Sequence, residues 1–94
     1  MIHIKKHVLY LNCYELSVSN YGLLDRRLIF QKQIKNEHQA YNIIDNYLRA
    51  FERFEEVSEQ QKLNEIKFQY LVKNNKTGLW NCIGFNFASY EVEI

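Results

Sequence analysis

The chain has 94 residues, 47% of them apolar and 24% charged, with a formal net charge of +1. This is the composition of a globular domain and argues against disorder. The near-neutral balance also excludes a strongly basic nucleic-acid binder and an acidic nucleic-acid mimic.

Residues 7 to 18 predict a strand. Val8, Tyr10, Tyr14, Leu16 and Val18 lie in one phase and Leu9, Leu11 and Cys13 in the other. Both phases are apolar in the middle, as expected of a strand covered on both sides. Ser19-Asn20-Tyr21-Gly22 is turn chemistry, and residues 23 to 34 read as the second strand of an antiparallel hairpin. Leu24, Leu28, Phe30 and Ile34 share its apolar phase, opposite Arg27, Gln31 and Gln33.

Asn36 with Gln39 three residues on has the pattern of a helix N-terminal capping box. From about 37 to 57, Ala40, Ile43, Ile44, Tyr47, Leu48, Phe51 and Phe54 follow the spacing of one amphipathic stripe. A helix unbroken to Lys62 would be a rod of about 39 Å, longer than so small a domain. Ser58 with Gln61 repeats the cap pattern, so the break is expected near Val57-Ser58, with a short extra turn after it.

Ile66, Phe68, Tyr70 and Val72 alternate strictly with Glu65, Lys67, Gln69 and Lys73, which predicts a strand over 65 to 73 with one core face and one wet face. Asn74-Asn75-Lys76-Thr77-Gly78 is a hairpin loop. In the last segment, 79 to 94, the apolar phase passes from Ile83, Phe85 and Phe87 to Tyr90, Val92 and Ile94, and a bulge near Ala88-Ser89 would reconcile the two. Gly84 marks either a bulge or a close backbone approach. The expected fold is α+β in the order β-β-α-β-β: a four-stranded antiparallel sheet, with room for a fifth short strand, and one helix packed on one face. Residues 1–94 form a single domain, with a radius of gyration of about 12 Å if compact.

Charge is unevenly placed. Residues 1 to 36 sum to +4 (Lys5, Lys6, Arg26, Arg27, Lys32 and Lys35 against Glu15 and Asp25), whereas residues 37 to 66 sum to −4. Glu52, Glu55, Glu56 and Glu59 would form an acidic ridge at the end of the helix, oppose its dipole, and face a basic partner surface. Cys13 and Cys82 are the only cysteines. No secretory signal is apparent, so they read as reduced thiols of a cytoplasmic protein, with a disulfide open only if their strands are neighbours. His3 and His7 would be about 13 Å apart along a strand, His38 is isolated, and no metal, cofactor, nucleophile or phosphate site can be assembled. No run is long and apolar enough for a membrane span.

The aromatic content is high at 15%. One helix stripe can cover one sheet face, yet the strands carry apolar residues on more faces than that. Tyr10, Tyr14, Trp80, Phe85 and Phe87 are therefore the candidates for an exposed aromatic patch, the make-up of an interface hot spot. Ile83-Gly84-Phe85-Asn86-Phe87-Ala88-Ser89-Tyr90 resembles the aromatic strand motif of RNA-recognition-motif proteins. Gly84, Phe85, Phe87 and Tyr90 match its spacing, whereas Ile83, Asn86 and Ala88 depart from it, and that family's β-α-β-β-α-β order is absent. The resemblance implies single-stranded bases stacking on Phe85 and Phe87, with Lys67 and Lys73 at phosphates.

The expectation is a non-enzymatic protein-binding module that acts by steric occlusion, dimeric or held by a protein partner, without cofactor, small-molecule substrate or membrane. Small bacterial or phage inhibitors of the anti-defence (anti-CRISPR) or toxin-immunity type are the class that fits. A single-stranded nucleic-acid binder is the alternative.

Overall fold

A computed structural model describes residues 4–18, 21–22, 24–59 and 66–93. The described strands are β1 (Lys5–Val18), β2 (Leu24–Ile34), β3 (Arg53–Glu56), β4 (Phe68–Lys73) and β5 (Trp80–Glu93), with one helix, α1 (Glu37–Arg49), between β2 and β3. They form a single antiparallel sheet in the order β2-β1-β5-β4-β3. The element order is thus β-β-α-β-β-β, and the extra strand is cut from the segment expected to continue the helix.

The helix begins where the sequence placed it. Asn36 is the N-cap and its side-chain oxygen accepts from the Gln39 N–H at 2.9 Å. Gln39 Oε1 in turn accepts from the Lys35 N–H at 2.7 Å, one residue ahead of the usual capping-box donor. It stops seven residues early, at Ala50. The Asn75 amide, from the β4–β5 loop, donates to the Ala50 carbonyl at 3.1 Å while its oxygen accepts from the Glu52 N–H. One side chain thus satisfies two groups at a helix end and turns the chain into β3, where Arg53 to Glu56 pair with Lys73 to Tyr70. The expected break at Val57-Ser58 is corrected accordingly. An extra turn at 58–61 and a proposed Ser58–Gln61 cap fall partly outside the described residues.

Directly opposed residues of paired strands share a face, so the register sorts the sheet. On one face Leu11, Cys13, Ile34, Val72, Ile83 and Phe85 are buried in a single cluster with Ala40, Ile44 and Leu48 of α1. Tyr47 joins the layers through edge contacts to Phe51 and Phe85 and a tilted contact to Phe30, with centroids 5.4–5.8 Å apart. The other face carries Val8, Tyr10, Asn12, Tyr14 and Leu16 of β1 and Trp80, Cys82, Gly84, Ala88 and Tyr90 of β5. There Leu16 and Ile66 are buried at 4% and 2% exposure and pack over Gly84, so the middle of β1 is covered on both sides, as its two apolar phases required.

Three sequence expectations change here. The phase of β2 breaks: Cys13 faces Phe30 but Tyr14 faces Leu28, so Ile29 is the extra residue of a bulge, and Leu28 and Phe30 lie on opposite faces. Strand β5 has no bulge at Ala88-Ser89, since its register with β1 is regular from Glu93 to Cys82. Its phase change instead marks the place where the strand leaves the helix-covered region. Finally, the supposedly wet face of β4 holds Gln69 at 0% exposure, where its amide donates to the Ile66 carbonyl at 2.9 Å. Ile66 itself precedes β4 and packs on the face opposite Phe68.

The molecule is long. Its radius of gyration is 15.8 Å and its extents are 57 × 32 × 24 Å, against about 12 Å expected for a compact chain of this length. The pairing explains the excess. At one end, among the described residues, Lys5–Val8 pairs only with Tyr90–Glu93, because β2 ends at Ile34 opposite Leu9 and β4 begins at Phe68 opposite Phe85.

Candidate functional site

The helix-free face of the sheet carries half of the exposed large apolar side chains among the described residues. Cross-strand register places Val18, Leu28, Leu71, Trp80, Tyr90 and Val92 on it, and each is between 38% and 53% exposed. At its centre Ile66 and Leu16 close over Gly84, which leaves an apolar area on either side of that plug. On one side, toward the hairpin ends, are Tyr14, Leu28, Leu71 and Trp80. On the other, toward the two-stranded ribbon, are Tyr10, Tyr90 and Val92, with the Tyr10 and Tyr90 rings edge to face at 5.5 Å.

Cations sit beside two of these rings. The Arg26 guanidinium lies 5.3 Å from the Tyr14 centroid and that of Arg53 lies 6.0 Å from Trp80, with Lys73 directly across from Trp80. Such pairs contribute about 0.5–1 kcal/mol at exposed sites. They hold long side chains flat over ring faces and present cation and aromatic surface together.

The predicted aromatic set divides. Tyr10 and Tyr14 are half-buried and Trp80 is 42% exposed, all on the helix-free face. Phe85 has 0% exposure beneath Tyr47, and Phe87 is half-buried on the same covered side against Phe68. Neither ring lies on the open face, because α1 and the rings around Tyr47 occupy their side of the sheet. Base stacking on Phe85 is overturned by that burial. Lys67 is exposed with its ammonium 5.4 Å from the Phe68 ring, on a different surface from Lys73.

The acidic ridge does not form. Glu52 precedes β3 and Glu59 lies beyond it, whereas Glu55 and Glu56 are successive strand residues pointing to opposite faces. The i, i+4 arrangement existed only in the helical reading. Signals that the sequence reading missed are Val18, Leu28, Leu71, Tyr90 and Val92. Leu28 was hidden by the β2 bulge, and Leu71 by the assumption of a wet face that in fact holds an apolar residue.

The cysteines are free and on opposite faces, Cys13 in the core beside Phe85 and Cys82 on the helix-free side. This arrangement precludes a bond between them. Burial pushes the Cys13 thiol up to about 12, against a smaller opposing effect of the Tyr47 hydroxyl, which donates to it. Burial also raises Cys82 and Tyr47. These are thiols held neutral, the reverse of what a nucleophile needs. Among the described residues no three His, Cys, Asp or Glu side chains cluster as metal ligands, and no helix is long and apolar enough to cross a membrane. His3 lies outside the described residues. An open groove between β2 and α1 is lined by Phe30, Gln31, Lys32, Ile43, Asn46 and Tyr47.

No protein-family model, curated protein or solved structure matches the chain.

Proposed function

We propose that this protein is a binding module for another protein and that the helix-free sheet face is its contact surface. One observation carries the reading: six large apolar side chains from four of the strands, each more than a third exposed, share that face. Leaving apolar surface wet is unfavourable by roughly 25 cal/mol per Å2, and exposed apolar areas rimmed by polar residues mark interaction sites. Trp80 and Tyr14, each with a guanidinium beside it, supply the ring and arginine content typical of hot spots. The mode of action is occlusion: the open sheet face covers part of its partner. A small inhibitor of bacterial or phage origin, of the anti-defence or toxin-immunity type, is the role this suits.

The test is affinity capture from the native cell with the unaltered chain and with a Leu28→Asp/Trp80→Asp variant, scored by mass spectrometry. A protein retained by the first and lost from the second supports the reading. Identical capture by both, or none above a bare-resin control, overturns it.

The same face supports a second reading. Paired cations and rings at Tyr14–Arg26 and Trp80–Arg53 are also what a single strand of nucleic acid stacks upon. Gel-shift titration with oligo(dT) across a salt series distinguishes the two, since affinity that falls steeply with salt belongs to phosphate contacts.

A further inference from the structure

Sheet edges are ready templates for another strand, and soluble proteins defend them with short strands, charges, bulges or prolines. Two of the edges in this sheet carry such devices. Outer strand β2 has the Ile29 bulge and the charged run Asp25-Arg26-Arg27, with Lys32 beyond it. Outer strand β3 is only four residues long. The side of β1 at Lys5–Val8 that is free among the described residues carries two lysines, whereas the edge of β5 has only Glu91 and Glu93 as charges. Past Phe85, where β4 begins, residues 86–93 of β5 pair with β1 alone among the described residues. This stretch, Asn-Phe-Ala-Ser-Tyr-Glu-Val-Glu, has no bulge, proline, lysine or arginine.

The ribbon it belongs to is incomplete as an independent unit. Two antiparallel strands alone are marginally stable in water and need a third strand or a covering layer. One face of this ribbon is charged, with Lys5 3.6 Å from Glu91 and His7 opposite Glu91. The other bears Val8, Tyr10, Ala88, Tyr90 and Val92, with Lys6 across from Val92 at its end; Tyr90 is 50% and Val92 41% exposed.

We propose that a second copy of this chain completes the ribbon, its β5 pairing antiparallel with β5 across a two-fold axis at Tyr90. An antiparallel edge is its own complement under such an axis. The register centred on Tyr90 sets that ring against the second copy's Tyr90, Val92 against Ala88, Glu91 against Ser89, and Glu93 against Phe87. No like charges oppose each other. The Tyr10–Tyr90 pair becomes a row of four rings across the joint, and aromatic cross-strand pairs are among the favourable ones. The described part of the second copy's strand reaches Phe87. The self-complementary register, together with a strand position open among the described residues, therefore favours a second copy over an unrelated strand.

This inference concerns the β5 edge and stands apart from the proposed use of the Leu28/Trp80 side of the face, so the two fail separately. Sedimentation equilibrium of the full chain over a concentration series reads the dimer directly. Three chains are compared: unaltered, Tyr90→Lys/Val92→Lys, and Trp80→Lys. The expected result is a dimer for the unaltered chain and for Trp80→Lys, with the double variant's dimer Kd raised about tenfold or more. Circular dichroism and melting of the double variant check that it remains folded, since both replaced side chains are exposed.

A second measurement tests the register. Under mild oxidation Tyr90→Cys should form a covalent dimer, because its sulfur meets its own copy, while Trp80→Cys should not. A monomer at every concentration overturns the proposal. So does a dimer unaffected by the two lysines, or equal cross-linking at positions 80 and 90.

Discussion

Leu16 rests on Gly84 from the neighbouring strand: a β-carbon on that glycine would stand 2.8 Å from Leu16 Cδ1 and 2.9 Å from Ile66 Cγ2. Neither gap admits a methyl group, so Gly84 is there for close packing. It lets the segment leading into β4 press against the sheet and seal the centre of the face whose two ends stay open. Gly84→Ala is therefore expected to destabilise by about 1–3 kcal/mol despite alanine's better strand propensity, the usual penalty for overpacking. Urea denaturation measures it. The penalty should shrink in a Gly84→Ala/Ile66→Ala double variant relative to Ile66→Ala, because the two sites share one space. Additive losses would count against the packing argument.

Asn75 makes the second prediction. Its amide joins the Ala50 carbonyl and the Glu52 N–H across 25 and 23 residues of chain. Asn75→Ala removes both bonds at an exposed site, and a loss of about 1–2 kcal/mol follows from typical net values per bond. Asn75→Asp keeps the acceptor but not the donor, so its loss should fall between. Amide exchange at Glu52 should quicken in the alanine variant and stay slow in the aspartate variant. Equal exchange in both would remove the clamp from the account of why α1 stops.

Much of the fold was legible from local pattern, and these two residues mark where legibility ended. The Asn36 cap, the doubly covered middle of β1 and the close approach at Gly84 are local signals, readable from composition within a few residues. The end of α1 is not local. Phe51 and Phe54 continue the helical stripe in sequence, but Asn75 lies more than twenty residues away and β3 gains four cross-strand partners in β4. Tertiary pairing thus overrode a good periodicity, and the glutamate ridge vanished with the helix that would have carried it. The aromatic patch was half legible for a related reason. Alternation shows that β5 has two faces, but only the sheet order decides that the helix covers Phe85 and leaves Trp80 open.

The buried thiol sets a pH limit. Cys13 ionises at about 12 in the fold, against 9.0 as its ordinary value. Above pH 9 the unfolded chain gives up this proton first, so the unfolded state is favoured as pH rises. The contribution of the neutral thiol is intact below pH 9 and is lost toward pH 12, with a slope of at most about 1.4 kcal/mol per pH unit. Tyr47, raised from 10.0 mainly by burial, adds in the same direction. Urea melts at pH 8, 9 and 10 should show a shallower decline for Cys13→Ala than for the unaltered chain. Parallel declines would mean that the thiol is already solvated in the fold.

The last prediction separates core from surface within one set of rings. Phe85 is fully buried and touches Tyr47 and Tyr70, with centroids 5.8 and 6.1 Å away. Truncation to alanine removes those contacts and leaves a cavity beneath α1, so Phe85→Ala should cost about 3–5 kcal/mol. Trp80 is larger but lies 42% exposed at the start of β5, with Arg53 as its ring contact. Trp80→Ala gives up a surface cation–ring pair and little core, so its loss should be about 1 kcal/mol or less. Binding should invert that order: a folded Trp80→Ala loses affinity for whatever covers the sheet face. A folded Phe85→Leu, which keeps the core filled, should retain it. Thermal melts of the three variants alongside the capture experiment decide the point. A Trp80→Ala protein as unstable as Phe85→Ala would place Trp80 in the core and take away the ring on which the contact surface depends.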